Sequence, residues 1–91
     1  MPTIAWFNGI AIRMFFNDHA PPHLHAFQGA HEARFAIETG ELLSGALPRP
    51  ARRLVQTWIS MYRASLMDDW RRAQAGLPLE RIPGPDAKDA D

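Results

Sequence analysis

The chain contains no cysteine. Disulfides and thiolate metal sites are therefore excluded, and any metal must be held by His, Asp or Glu. Lysine is almost absent, since nine of the ten basic residues are arginine, the cation suited to bidentate contacts with phosphate and carboxylate. No apolar run approaches the roughly 20 residues of a membrane span. The opening MPTIAWFNG also has neither the basic segment nor the apolar stretch of a signal peptide, so a cytoplasmic protein without a membrane partner is expected. The formal net charge is zero, which leaves no global excess of charge to steer the molecule to one kind of partner. No internal repeat is present.

Ninety-one residues with 46% apolar and 22% charged side chains suffice for one domain around one modest core. The pattern predicts a single α+β domain over residues 1–83. The closing stretch, 84–91, is polar and terminal and is expected to be disordered.

TIAWFNGIAIRMFF reads as a hairpin, because Asn8-Gly9 suits the two positive φ angles of a type I′ turn. A two-residue loop pairs Phe7 with Ile10, Ala5 with Ile12 and Thr3 with Met14, and leaves Ile4, Trp6, Ala11, Arg13 and Phe15 on the other face. LHAFQGAHEARFAIE reads as a second hairpin turning at Gly29-Ala30. There Ala26 faces Ala33 and Leu24 faces Phe35 on one apolar face with Ile37, while His23, His25, Phe27, Glu32, Arg34 and Glu38 share the other. Residues 38–48 are punctuated by Gly40 and Gly45 and read as a connector. From Ala51 onward Leu54, Val55, Trp58, Ile59, Tyr62, Leu66, Trp70 and Ala73 recur at helical spacing, after prolines suited to a helix start and before Gly76 and Pro78. Ser65 to Asp68 has the form of a capping box and marks a candidate break. The expected architecture is a four-stranded antiparallel sheet of two hairpins, followed by a C-terminal helical segment packed on one face.

NDHAPPHLH, residues 17–25, concentrates three of the four histidines. His23 and His25 are two apart, so on a strand their imidazoles project to the same side, and His19 or Asp18 can add a third ligand from the preceding loop. A divalent ion such as Zn²⁺ or Ni²⁺ is the cofactor this spacing fits. Asp18, His19, His23 and His25 are also the candidates for acid–base catalysis, because imidazole titrates near neutrality, although no nucleophile or oxyanion hole accompanies them. The competing reading is structural: a stiff turn whose imidazoles pair with backbone or carboxylate neighbours.

Two further features bear on partners. Arg49, Arg52, Arg53, Gln56, Ser60 and Arg63 fall within about 100° of one helical wheel. Arg52, Arg53 and Arg63 are thus candidates for contacting nucleic-acid phosphates or an acidic partner, against the commoner reading of a solvated face. Trp58, Tyr62 and Trp70 read as core, whereas Trp6, Phe15 and Phe27 on the far sheet face would form a protein interface if exposed.

Taken together, MPTIAWFNGIAIRMFFNDHAPPHLHA, ARFAIETGELLSGALPRPARRLVQTWI and WRRAQAGLP resemble the small bacterial family known as domain of unknown function 4160. The resemblance runs from Met1 to about Pro83. Its motif of Asn-Asp-His, Pro-Pro and His-x-His falls on Asn17, Asp18, His19, Pro21, Pro22, His23 and His25. The resemblance implies no settled activity; by analogy with its genes' frequent small neighbours it implies one component or regulator of a toxin–antitoxin-like pair. The expected function is therefore that of a small interaction protein with a protein partner or a second copy of itself. The alternative is a metal-assisted phosphodiesterase or ribonuclease that uses the histidine motif.

Overall fold

The computed structural model describes residues 2–86. Five strands form one antiparallel sheet in the order of the chain: β1 (Thr3–Phe7), β2 (Ile10–Arg13), β3 (His23–Gln28), β4 (His31–Ala36) and β5 (Leu42–Ala46). Two helices follow, α1 (Arg49–Met61) and α2 (Arg63–Gln74). No helix among the described residues is long and apolar enough to cross a membrane.

The first hairpin turns at Asn8 and Gly9, whose φ angles are 51° and 72°, as a type I′ turn requires. Phe7 pairs with Ile10 and Ala5 with Ile12, but Thr3 faces Arg13 rather than Met14. The expected Thr3–Met14 pair fails because Ile4 is an extra residue in a β-bulge. The bulge turns Ile4 into the core, where it is 1% exposed, instead of onto the outer face. The second hairpin has the expected register: Ala26 opposite Ala33 and Leu24 opposite Phe35.

The sheet has five strands, not four, because residues 42–46 pair with β4. Gly45 explains why the punctuated segment pairs at all. Its φ is +78°, and a Cβ there would lie 2.2 Å from the Glu32 carbonyl oxygen, so only glycine lets β5 approach β4. The helical segment likewise becomes two helices. The break falls at Tyr62 (φ −120°, ψ 27°), not at the Ser65–Asp68 capping box, and Ser65 lies inside α2. Tyr62 leaves helical dihedrals, and Leu66, Trp70 and Ala73 of α2 are buried as Val55, Trp58 and Ile59 are in α1.

One apolar cluster joins Ile4, Phe7, Ile12, Leu24, Phe35 and Ile37 of the sheet region to Val55, Trp58, Ile59 and Leu66 of the helices. Phe7 and Trp58 meet ring to ring at 5.0 Å. Each large side chain so buried contributes about 1.5–3 kcal/mol relative to exposure. The segment after α2 then crosses β1: the Glu80 amide donates to Asp69 Oδ1 (2.8 Å), the Ile82 amide to the Ile4 carbonyl (2.8 Å), and Trp58 Nε1 to the Pro83 carbonyl (2.7 Å). An edge strand is thereby covered. Of the tail expected to be disordered, residues 87–91 lie outside the described residues.

Candidate metal centre

Strand alternation divides β3 between two environments. Leu24 and Ala26 point into the core, and His23 and His25 point to the opposite face, yet they are only 2% and 8% exposed. Rings cover them. Trp70 of α2 lies 5.3 Å from the His23 ring, Phe15 meets the His25 ring edge-on at 4.3 Å, and Phe27 stacks beside it at 6.4 Å. The loop that carries Asp18 is held by the last turn of α2. There the Asn17 amide donates to the Ala73 carbonyl (3.3 Å) and Gln74 Nε2 to the Asp18 carbonyl (2.9 Å). Asn17 itself takes φ 58°, a left-handed conformation that asparagine tolerates better than most residues.

These supports bring Asp18, His23 and His25 together, with one ligand atom from each within 4.8 Å of the others. His23 Nδ1 lies 2.7 Å from the Pro21 carbonyl, which can only accept, so Nδ1 carries a proton and Nε2 faces the cluster. His23 Nε2 is 2.9 Å from Asp18 Oδ2, yet the two are not aligned as a hydrogen bond and Nε2 has no hydrogen-bond partner among the described residues. His25 Nε2 lies 3.3 Å from the same oxygen. Its other nitrogen, Nδ1, is 3.7 Å from Glu32 Oε2, too far for a hydrogen bond but on the side where metal-bound histidines meet an orienting carboxylate.

The off-axis contact is informative. An imidazole nitrogen and a carboxylate oxygen at 2.9 Å need positive charge between them, from a proton or from a metal ion. Two ligands on one ion, each about 2.0–2.2 Å from it, lie about 2.9 Å apart at a right angle and about 3.3 Å apart at the tetrahedral angle. In the first case the second ligand sits about 45° away from the nitrogen's lone-pair axis. Both Asp18–His distances match such spacings, and the unaligned His23 contact matches the geometry. Electrostatics run the same way. Burial pushes the Asp18 carboxyl up, but the His19 amide, His25 and His23 outweigh it and hold it below its ordinary value. Burial, with the charge of His23, pushes His25 down against the pull of Asp18, which favours the neutral imidazole that a metal requires.

His19 is not part of the cluster. Its side chain is 78% exposed and approaches Asp18 through the other oxygen, Oδ1, at 3.1 Å, so Asp18 occupies the third position. Nor do Arg52, Arg53 and Arg63 converge here. Helix α1 packs on the core face through Val55, Trp58 and Ile59, and Arg63 spends its Nε on the Ile37 carbonyl at 3.0 Å.

Two arginines that the sequence reading left out of the site do approach it. Arg13 of β2 and Arg34 of β4 are the direct cross-strand neighbours of His25. With Thr3 and Ser44 they make one row across all five strands: Thr3, Arg13, His25, Arg34, Ser44. Half of this row was visible in the second hairpin, which places His25 and Arg34 on one face. The other half required knowing that β2 pairs with β3.

An antiparallel sheet followed by two helices, with α2 reaching through Trp70 and Gln74 to an Asp-His-His cluster, defines a small α+β domain with a candidate metal centre. The chain belongs to the family described as Domain of unknown function (DUF4160), whose model matches residues 9–71. No curated protein and no solved structure matches the chain.

Proposed function

We propose that the domain binds a divalent transition ion through Asp18 Oδ2, His23 Nε2 and His25 Nε2, and that this ion is its working centre. The observation that carries the reading is His23: 2% exposed, its Nδ1 committed to a carbonyl, and its Nε2 without a hydrogen-bond partner beside a carboxylate oxygen. A buried polar atom in that condition is costly unless a proton directed at Asp18 or a bound ion satisfies it, and the convergence of a second imidazole on the same oxygen favours the ion. Three protein ligands also leave a position free for water or substrate, the pattern of catalytic rather than structural sites. Metal-assisted phosphodiester chemistry, with His19 at the rim, is the enzymatic form of this reading.

Titration with Zn²⁺ or Co²⁺ tests it. The expected result is affinity of about micromolar or tighter, abolished in His23→Ala. Equal binding by the variant would overturn the assignment.

A second reading, the interaction protein of a toxin–antitoxin-like pair, is supported by Trp6 and Phe16, which are 60% and 44% exposed. Large exposed aromatics mark protein contact surfaces. It predicts that Trp6→Ser weakens capture of a small protein partner, or self-association, while leaving metal affinity unchanged.

A further inference from the structure

We infer that Arg13 and Arg34 form a clamp for a phosphoryl group that also reaches the ion held by Asp18, His23 and His25; the inference rests on the metal reading above. Both arginines flank His25 on the same sheet face. Each is fixed through Nε by a hydroxyl at the outer end of the row, Arg13 by Thr3 Oγ1 (3.2 Å) and Arg34 by Ser44 Oγ (2.8 Å). Arg13 is held additionally by its position over the Phe27 ring, 4.9 Å from the centroid, a cation–π contact. The arms are thus positioned while their terminal nitrogens have no hydrogen bond or ion pair among the described residues.

Arg72 of α2 shows the contrast. It is engaged by Asp68 at 3.2 Å and Glu80 at 3.6 Å, as an ordinary surface arginine is. On the His25 face the nearest carboxylates are Asp18, directed at the histidines, and Glu32, whose closest approach is to His25 Nδ1. Two half-buried guanidiniums astride a metal ligand, neither paired with a carboxylate among the described residues, leave terminal N–H donors without a partner. Adjacent strands lie about 4.8 Å apart, so the two arginine backbones are separated by about 10 Å with the ion's ligand between them. A tetrahedral oxyanion suits that span, because separate oxygens can reach the ion and each guanidinium. A planar carboxylate offers two oxygens and leaves one of the three groups unmet. Phosphate esters are the class with this geometry, and either a small monoester or the diester of a single-stranded nucleic acid carries it.

The test uses the full chain loaded with Co²⁺, whose visible absorption reports on the ion's ligands. Inorganic phosphate is titrated first, then phenyl phosphate and a short single-stranded oligonucleotide as competitors. Phosphate should change the Co²⁺ spectrum. Arg13→Gln and Arg34→Gln should each weaken phosphate about tenfold or more, as loss of a charge-assisted hydrogen bond does, with Co²⁺ affinity kept within about twofold. Arg53→Gln, on the helix side, should leave phosphate affinity unchanged. Competition by phenyl phosphate alone would assign small monoesters, and competition by the oligonucleotide would assign nucleic acid; both support the clamp. Co²⁺ binding without any response to the three phosphates would overturn the clamp and leave the metal centre standing, as would unchanged phosphate affinity in both arginine variants. Absence of Co²⁺ binding would remove both. Circular dichroism of the glutamine variants separates a lost clamp from a lost fold.

Discussion

The two faces of β3 are buried to nearly the same degree for different reasons. Leu24 and Ala26 have no exposed surface, and His23, on the other side of the same backbone, has 2%. On the inner face every neighbour is apolar and the burial itself stabilises. On the outer face, Trp70, Phe15 and Phe27 enclose imidazoles whose nitrogens need partners that the enclosure only partly supplies. Burial alone therefore does not distinguish a core from a site. The distinguishing mark is a polar atom buried as deeply as a leucine and left without a hydrogen bond, such as His23 Nε2.

The comparison implies opposite responses to substitution. Trp58 fills the inner side, with no exposed surface, and packs on Phe7 and Tyr62. Trp58→Ala should cost about 3–5 kcal/mol, a large share of the 5–15 kcal/mol typical of a domain. Thermal unfolding in metal-free buffer should show that loss with or without Zn²⁺. A loss much below 2 kcal/mol would mean that the inner face is less tightly packed than described.

His23→Ala should behave differently. Without metal it removes a buried ring and leaves the Pro21 carbonyl without its donor, at a cost of about 1–3 kcal/mol. With Zn²⁺ at about a hundredfold over the dissociation constant, the parent protein should gain about 2.7 kcal/mol from linkage. The variant should gain nothing. A variant stabilised by Zn²⁺ as much as its parent would mean that the ion binds elsewhere and that the outer imidazoles are only a covered turn.

How much of this was readable in the residues follows from where local chemistry decides the outcome. Asn8-Gly9 and Gly29-Ala30 set two hairpins because a turn is a local event, and the second register came out residue for residue. The spacing of Trp58, Ile59, Leu66 and Trp70 made a buried helical stripe visible for the same reason. Ile4 was misplaced because its bulge is settled by what it can bury against the helices, which no window around residue 4 contains. β5 was missed because Gly45 looks like a strand breaker until the Glu32 carbonyl is known to lie where a Cβ would go. The histidine pair was legible from i, i+2 spacing alone. Choosing Asp18 over His19 was not, since that depends on α2 gripping residues 17 and 18 from more than 50 positions away, as in the Gln74 contact (56 apart). Gly45→Ala tests the β5 account: it should loosen the last strand by about 1–3 kcal/mol, seen as faster amide exchange in residues 42–46 than in β3. Unchanged protection there would show that β5 does not depend on the close approach.

Asp69 sharpens the comparison at the smallest scale. Like His23 it is buried, with no exposed surface, and it too has one partnered atom and one orphan: Oδ1 accepts the Glu80 amide at 2.8 Å, while Oδ2 has no partner among the described residues. Here, however, no histidine converges among the described residues, and the environment favours the proton that would satisfy the orphan. Burial pushes the Asp69 carboxyl above the ordinary aspartate value; the Glu80 amide opposes this, and the neighbouring charge of Asp68 adds to the rise. Between the unfolded value and the raised folded one, the native protein binds more protons than the unfolded chain, so stability falls as pH increases through that window. Asp69→Asn keeps an oxygen for the Glu80 amide and cannot ionise. Urea denaturation at a series of pH values should therefore show the parent losing stability relative to the variant as pH rises from about 4, the contributions of Asp18 and His25 being common to both proteins. An equal slope in both proteins would show that Asp69 is ionised in the fold at the same pH as in the unfolded chain, and that a buried orphan oxygen need not draw a proton.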